Sequence, residues 1–486
     1  MTARGILIAG TSSDAGKSLV TTGICRFLAR QGLKVAPFKS QNMSNNSMVC
    51  ADGSEIGRAQ YLQAQAARAE PESALNPVLL KPGSDRRSHI VLRGKPDGVL
   101  DAGEFASGRQ HLAAAAFAAY EELAQKYDVI VSEGAGSPAE INLRAGDYVN
   151  LGLARRFDLP VIVVGDIDRG GVFASLFGTV GLLDPADRAL IKAFVINKFR
   201  GDQSLLKPGL DELTKRTGVP FLGVLPWLSD VWLDGEDTLL VGRWGGQVRA
   251  TEGRQLTVAA VRFPRLSNAT DLDALAGEPG VAVMMTTDPG VLRSADVIVL
   301  PGSRATVSDL EWLHGNGLAS EVVAAAAAGK TVVGICGGYQ MLARTIHDEV
   351  ESRAGAVEGL ALLPADVRFE TGKRLGLVDG SWQGHPVRGY EIHHGVATVD
   401  SSAESFLDGC RQGSVWGTTW HGTFENDGFR RAFLAGAADR AGVPFDPAPP
   451  AGTLGFGDRR ELMIERLADA VAQHLDTDAL LGIIGR

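Results

Sequence analysis

Twice along its length this chain alternates short runs of β-branched and small apolar residues with longer stretches whose apolar residues recur every three or four positions. In the first part the short runs are ILIAG, KVAPFK, DVIVSEGAG, LPVIVVGDID, AFVINKF and VPFLGVLP, separated by alanine-rich segments such as AQYLQAQAARAE and HLAAAAFAAYEELAQKY. A second series runs through LTVAAVRFP, VAVMMTT, ADVIVLPGS, TVVGICGG and GTTWHGTF. The alternation predicts an α/β protein of two domains, each a mostly parallel sheet with helices on both faces. The expected division is 1–226, a linker at 227–254 where the rhythm gives way to Gly, Asp and Trp, a second domain at 255–445, and a tail at 446–486. The tail opens on the proline-rich DPAPPAG and ends in RELMIERLADAVAQHLDTDALLGII, an amphipathic helix read as docked on a domain surface. A length of 486 residues supports two or three domains.

The first strand ends in GTSSDAGKS, residues 10–18, and a helix follows. A glycine-rich turn between a strand and a helix aims several backbone N–H groups, and the positive end of the helix dipole, at one anion. Gly10, Thr11, Ser12, Asp14, Ala15 and Gly16 are the expected phosphate cradle, Lys17 the counter-charge for the β and γ phosphates, and Ser18 a hydroxyl ligand for Mg²⁺. Five residues stand between Gly10 and Gly16 where the common pattern has four, so the loop is a variant. Ligands of open parallel sheets bind at the carboxyl ends of the strands. Lys39 ends the second strand and is assigned to the nucleotide, Glu133 ends the third and is assigned to the metal, and Asp166 and Asp168 end the fourth. Glu55 is the further metal ligand chosen, with Asp52 its competitor.

In the second half, TVVGICGGYQML reads as a buried strand, a tight turn and a helix. Small neighbours tolerate the strained turn that lifts a nucleophile off a sheet, and the helix start favours a thiolate at Cys336. Gly337 contributes an N–H to an oxyanion hole, and Gly302 and Ser303 in LPGSRAT are its expected second side. A thiol nucleophile needs a proton shuttle. His421 in TTWHGTFEN fills that role, with His393 and His394 in GYEIHHG competing by spacing alone, and Glu425 is the candidate to orient the imidazole.

Composition narrows the rest. With 48 Lys+Arg against 57 Asp+Glu the formal charge is −9, the opposite of a nucleic-acid footprint. Four widely spaced cysteines form neither a disulfide framework nor a zinc site. With no signal peptide pattern and no membrane-length apolar run, a cytoplasmic protein without a membrane partner is expected.

GICGGYQ and WHGTFEN resemble the nucleophile and histidine segments of class I glutamine amidotransferases, whose glutaminase domain is flavodoxin-like. The lengthened phosphate loop and the EGAG turn at 133–136 resemble dethiobiotin synthetase, a P-loop-type synthetase. That order in one chain, together with FKSQNMSNNS and GYEIHHG, is similar to the cobalamin-pathway amidases, and the resemblance covers nearly the whole chain. It implies ATP and Mg²⁺ as cofactors, and L-glutamine and a corrinoid as substrates. Cys336 would attack glutamine and His421 would shuttle the proton. The implied reaction is amidation of the b, d, e and g side-chain carboxylates of adenosylcobyrinic acid a,c-diamide by a carbon–nitrogen ligase; a homo-oligomer is compatible with it. In most class I amidotransferases a glutamate stands two places after the histidine. Here that place is Thr423, which leaves either Glu425 or a dyad. The rival readings are cobyrinic acid a,c-diamide synthase and a partitioning-type nucleotide switch ATPase; Ser12 and Ser13 stand where the switch ATPases carry an early lysine pattern.

Overall fold

The computed structural model describes residues 3–84, 87–101, 109–229, 231, 254–448 and 452–485. Most of the expected linker at 227–254, and 449–451 of the proline-rich tail, lie outside the described residues. The chain forms two compact units. One comprises Met1–Ser44, Ser54–Asp234 and Arg459–Arg486; the other comprises Asn45–Gly53 and Gly235–Asp458. Both units interrupt the simple linear division: a nine-residue piece of the N-terminal half joins the second unit, and the C-terminal helices join the first.

The first unit is built on a six-stranded parallel sheet in the order Phe221–Pro226, Ile191–Phe199, Val161–Asp166, Arg4–Gly10, Val129–Glu133, Val35–Phe38. All six of the short apolar runs are in it. The central strands are buried on both faces, which is why they read as continuous apolar runs rather than alternating ones. Helices Lys17–Arg30, Arg58–Ala67 and Gln110–Lys126 are crossovers. A smaller sheet of Gln41–Met43, Val78–Ser84, Arg87–Leu92 and Lys95–Asp101 is an addition that the alternation did not announce.

The tail forms two helices, Phe456–His474 and Thr477–Ile484, where one was expected, and the first packs Ile464, Ala468 and Val471 among Val20, Ile24 and Leu28 of helix Lys17–Arg30. Gly23 permits the approach, since a Cβ there would lie 2.8 Å from the Leu467 carbonyl oxygen. Arg26, buried on the same helix, reaches Glu461 at 2.5 Å and also pairs with Glu465.

The second unit holds a seven-stranded sheet, Val281–Thr286, Leu256–Val261, Val297–Leu300, Thr331–Ile335, Val415–Thr418, Gly409–Gln412, Glu404–Phe406. The first five strands are mutually parallel, and the last two are joined by antiparallel pairing, Gly409–Gln412 to Val415–Thr418 and Glu404–Phe406 to Gly409–Gln412. Helix Leu318–Ala327 matches the alanine-rich SEVVAAAAAG. Beside the sheet runs a long antiparallel hairpin, Ala365–Trp382 with His385–Val399, which carries GYEIHHG. Its mixed, half-exposed sequence lacks the apolar runs that mark the parallel strands. No helix among the described residues is long and apolar enough to cross a membrane.

Candidate functional site

In the first unit the phosphate loop connects strand Arg4–Gly10 to helix Lys17–Arg30. Gly16 caps the helix in the left-handed region, φ 92°, and a Cβ there would collide with Asn197 Nδ2. Asn197 in turn donates to the Ala15 carbonyl at 3.0 Å, and Lys198 Nζ donates to the Asp14 carbonyl at 2.6 Å. Lys17 curls back over the loop, donating to the carbonyl oxygens of Ser12 at 2.9 Å and Gly136 at 3.2 Å. The helix start and the lysine thus face one anion site, as a phosphate cradle needs.

Glu133 lies at the end of its strand, fully buried. Its Oε1 accepts from the Ser18 hydroxyl and from Lys39 Nζ, both at 2.9 Å, and its Oε2 accepts from Gln63 at 2.6 Å. Burial opposes its ionisation, but Lys39, Gln63 and Lys17 outweigh burial and hold the carboxyl below the usual carboxylate range. Ser18 and Glu133 therefore present adjacent hard oxygen donors beside the phosphate loop, a donor pair that suits Mg²⁺. Glu55, the third expected ligand, is buried in an ion pair with Lys81, and no cluster of three or more His, Cys, Asp or Glu side chains suited to a metal occurs among the described residues. Asp166 accepts from Lys198 at 2.8 Å, and Asp168 lies 3.5 Å from Arg200. Asn197, Lys198 and Gln63 had no distinguishing pattern in the sequence, since a loop-supporting amide looks like any other polar residue after a strand.

In the second unit Cys336 stands between strand Thr331–Ile335 and helix Gly337–Leu342 with φ 50° and ψ −108°, a conformation costly for a residue with a side chain. The turn is held by the Cys336 N–H donating to Thr418 O at 2.8 Å and by the Gln340 N–H donating to Cys336 O at 3.0 Å. Tight packing explains the flanking glycines. A Cβ on Gly338 would strike the Leu300 carbonyl, and one on Gly337 would lie 2.8 Å from the Ser303 nitrogen. Gly302 is equally constrained: its missing Cβ would be 3.0 Å from His421 Cε1. Gly302, Ser303 and Gly337 therefore crowd around the Cys336 turn. The Ser303 hydroxyl is fixed by donation to Asp309 Oδ2 at 2.5 Å, and burial lifts the Asp309 carboxyl to about 6.

His421, 1% exposed, interacts electrostatically with Cys336, and its Nδ1 lies 2.7 Å from Asp271 Oδ2. The second Asp271 oxygen accepts from the Gly422 N–H at 2.7 Å. Burial alone would lower the imidazole pKa; Asp271 and Cys336 override it and raise the group from 6.5 to about 10. Tyr390 stacks on the ring, with centroids 5.3 Å apart, and exchanges backbone hydrogen bonds with His421. The carboxylate found on the imidazole is not that of Glu425, the candidate orienting acid, but that of Asp271. Glu425 lies on the short turn Thr423–Glu425 that follows His421, while the carboxylate on the imidazole comes from Asp271, 150 positions upstream. His393 and His394 are engaged otherwise: His393 with Gly395 O at 2.7 Å and Glu391 at 3.2 Å, His394 with Glu370 O at 3.0 Å.

Residues 6–241 match the CobQ/CobB/MinD/ParA nucleotide binding domain, and residues 257–429 match the CobB/CobQ-like glutamine amidotransferase domain. A cobyric acid synthase of Cutibacterium acnes is 62% identical over 99% of this chain and 99% of its own. The chain belongs to the cobyric acid synthase family. Other cobyric acid synthases, from Mycolicibacterium vanbaalenii and Streptomyces avermitilis, are each 56% identical, over 98% and 99% of this chain and 96% of their own. Like its relatives in the cobyric acid synthase family, this chain is a glutamine amidotransferase ligase with a nucleotide-binding domain before its amidotransferase domain.

Proposed function

We propose that this protein uses ATP and L-glutamine to amidate the b, d, e and g side-chain carboxylates of adenosylcobyrinic acid a,c-diamide, giving cobyric acid. The observation that carries the chemistry is the alignment of Cys336, His421 and Asp271 in a chain whose other unit holds a complete phosphate loop.

His421, oriented by Asp271 and with its pKa raised to about 10, already holds the proton while the Cys336 sulfur attacks the glutamine amide carbon. Backbone N–H groups of the Gly302–Ser303 and Gly337 turns stabilise the oxyanion. His421 gives its proton to the departing nitrogen, ammonia leaves, and water hydrolyses the glutamyl thioester to glutamate. In the first unit the loop 10–18 and Lys17 hold the triphosphate, with Lys39 nearby on Glu133. Ser18 and Glu133 would hold Mg²⁺, which when bound supplies charge neutralisation for the transferring phosphoryl group. A carboxylate is a poor electrophile; accepting the γ-phosphoryl group makes it an acyl phosphate and releases ADP. Ammonia then displaces phosphate and forms the amide.

The test replaces Cys336 by alanine and follows corrinoid products by mass spectrometry. Glutamine-driven amidation is expected to disappear while ammonium-driven, ATP-dependent amidation remains. Loss of both activities in a folded variant would rule out two separable sites.

A further inference from the structure

The nine residues Asn45–Gly53 follow directly on strand Gln41–Met43 and Ser44 of the nucleotide-binding half, yet they are part of the amidotransferase unit. Their contacts there converge on the surroundings of Asp271 and His421. The Ser267 hydroxyl donates to Asn45 O at 2.9 Å, the Ser47 N–H donates to Asn268 Oδ1 at 2.9 Å, and the Ala269 N–H donates to Asn46 Oδ1 at 3.1 Å. These three bonds clamp residues 267–269, the approach to the turn Ala269–Leu272 that bears Asp271. Asn268 has φ 53° and ψ 47°, a left-handed conformation that asparagine tolerates better than most residues, and its carbonyl accepts from the Asp271 N–H at 3.1 Å. Asn46 and Asn268 are both buried, so each bond satisfies a group that water does not reach.

The same segment meets the site from a second direction. Val49, fully buried, packs with Tyr390 and Ile392. Tyr390 is the ring stacked on His421, and the Ile392 carbonyl lies 3.8 Å from Cys336 Sγ. One short stretch therefore supports both the loop that presents the carboxylate and the strand behind the imidazole and the sulfur.

We propose that Asn46 and Asn268 are positioning residues of the glutaminase, and that Asn45–Gly53 is a brace, supplied from the nucleotide-binding half of the sequence, that sets Asp271 against His421. This rests on the reading of Cys336, His421 and Asp271 as the glutamine-hydrolysing group. Neither asparagine touches the reacting atoms. Each acts through the placement of the Asp271 turn, on which the orientation of His421 depends. Lys39, which holds Glu133 beside the phosphate loop, stands only six positions before Asn45 in the chain. Glutamine hydrolysis thus draws structural support from the stretch of sequence that also furnishes a nucleotide-site residue.

The experiment uses the full-length chain and measures glutamate release over a range of glutamine concentrations, beside ATP-dependent amidation driven by ammonium chloride. Asn268→Gly keeps the left-handed backbone and deletes the acceptor for Ser47; Asn46→Ala deletes the acceptor for Ala269. For both, kcat of glutamine hydrolysis is expected to fall about tenfold or more, with KM for glutamine and the ammonium-driven rate staying within roughly twofold. Asn268→Asp, which retains the accepting oxygen, is expected to recover kcat to within about threefold. Unchanged kcat in both alanine and glycine variants overturns the proposal, as does a parallel fall of the ammonium-driven rate, because the segment would then serve folding in general. Cys336→Ala is run alongside. If that variant still hydrolyses glutamine, the reading of the site fails, and the brace can be judged separately by whether Asn46→Ala and Asn268→Gly alter kcat.

Discussion

The imidazole of His421 is sealed from water, and the carboxylate of Asp271 lies against it at 2.7 Å, fixing its orientation and favouring its charged form. Replacing Asp271 by asparagine keeps the shape but removes the charge and one of the two accepting oxygens that His421 and the Gly422 N–H use. For Asp271→Asn, kcat of glutamine hydrolysis is expected to fall by at least about a hundredfold, whereas Glu425→Gln stays within roughly threefold of the unaltered chain; steady-state glutamate release distinguishes them. Stability is linked to the same pair. His421 is raised from its ordinary 6.5 to about 10, so it binds its proton more tightly folded than unfolded. That contribution is complete below about pH 6.5 and is lost as pH climbs toward 10. The thermal destabilisation caused by Asp271→Asn is therefore expected to be largest at pH 6–6.5 and to shrink steadily on approach to pH 10, which melting curves across that range would record.

Among the elements, the two strand–turn–helix crossings resemble each other in architecture and differ in what they aim. At residues 10–18 five residues separate the two glycines, and Lys17 folds back over the loop to the Ser12 carbonyl. At residues 335–338 the turn closes tightly, so that a single sulfur stands at the helix start in a strained conformation. Helix Phe456–His474 shows the complementary case, in which an amphipathic pattern finds its partner on a helix more than four hundred positions away in sequence. Its close approach depends on Gly23. In Gly23→Val the new side chain meets the Leu467 carbonyl and Val471 Cγ2, positioned 2.8 and 2.9 Å from the first added carbon. The cost is expected to be about 1–3 kcal/mol, seen as an earlier unfolding transition of the nucleotide-binding unit in calorimetry, with glutaminase kcat unaffected.

For the molecule as a whole, two chemistries in two units should be separable by mutation from either side. Ser18→Ala and Glu133→Gln each remove one of the paired oxygen donors beside the phosphate loop. Both are expected to lower ATP-dependent amidation by about a hundredfold or more, with glutamine and with ammonium alike, while glutamate release persists. Chelation of divalent cations should reproduce that pattern in the unaltered chain and be reversed by added Mg²⁺. Equal loss of glutamate release would mean that the two units do not divide the work as proposed.

Local pattern carried a good deal of this protein. Each parallel strand buried on both faces had to be a continuous apolar run, so all six strands of the first sheet could be read directly, and the glycines at 16, 337 and 338 marked turns where a side chain would meet its neighbours. Cys336, Lys17, Ser18 and Glu133 stood out as candidates because each stands at or just after the end of a strand, whereas spacing left His421 in competition with His393 and His394 until the family resemblance favoured it. Asp271 did not stand out: one aspartate in SNATDLD looks like another, and only the folded sheet brings it to a histidine 150 positions away. The long hairpin escaped for a related reason, as its half-exposed strands show no apolar run. The exchange of residues 45–53 and 459–486 between units is likewise decided by tertiary packing, because hydrogen bonds and buried surface are satisfied by proximity in space, which sequence order does not encode.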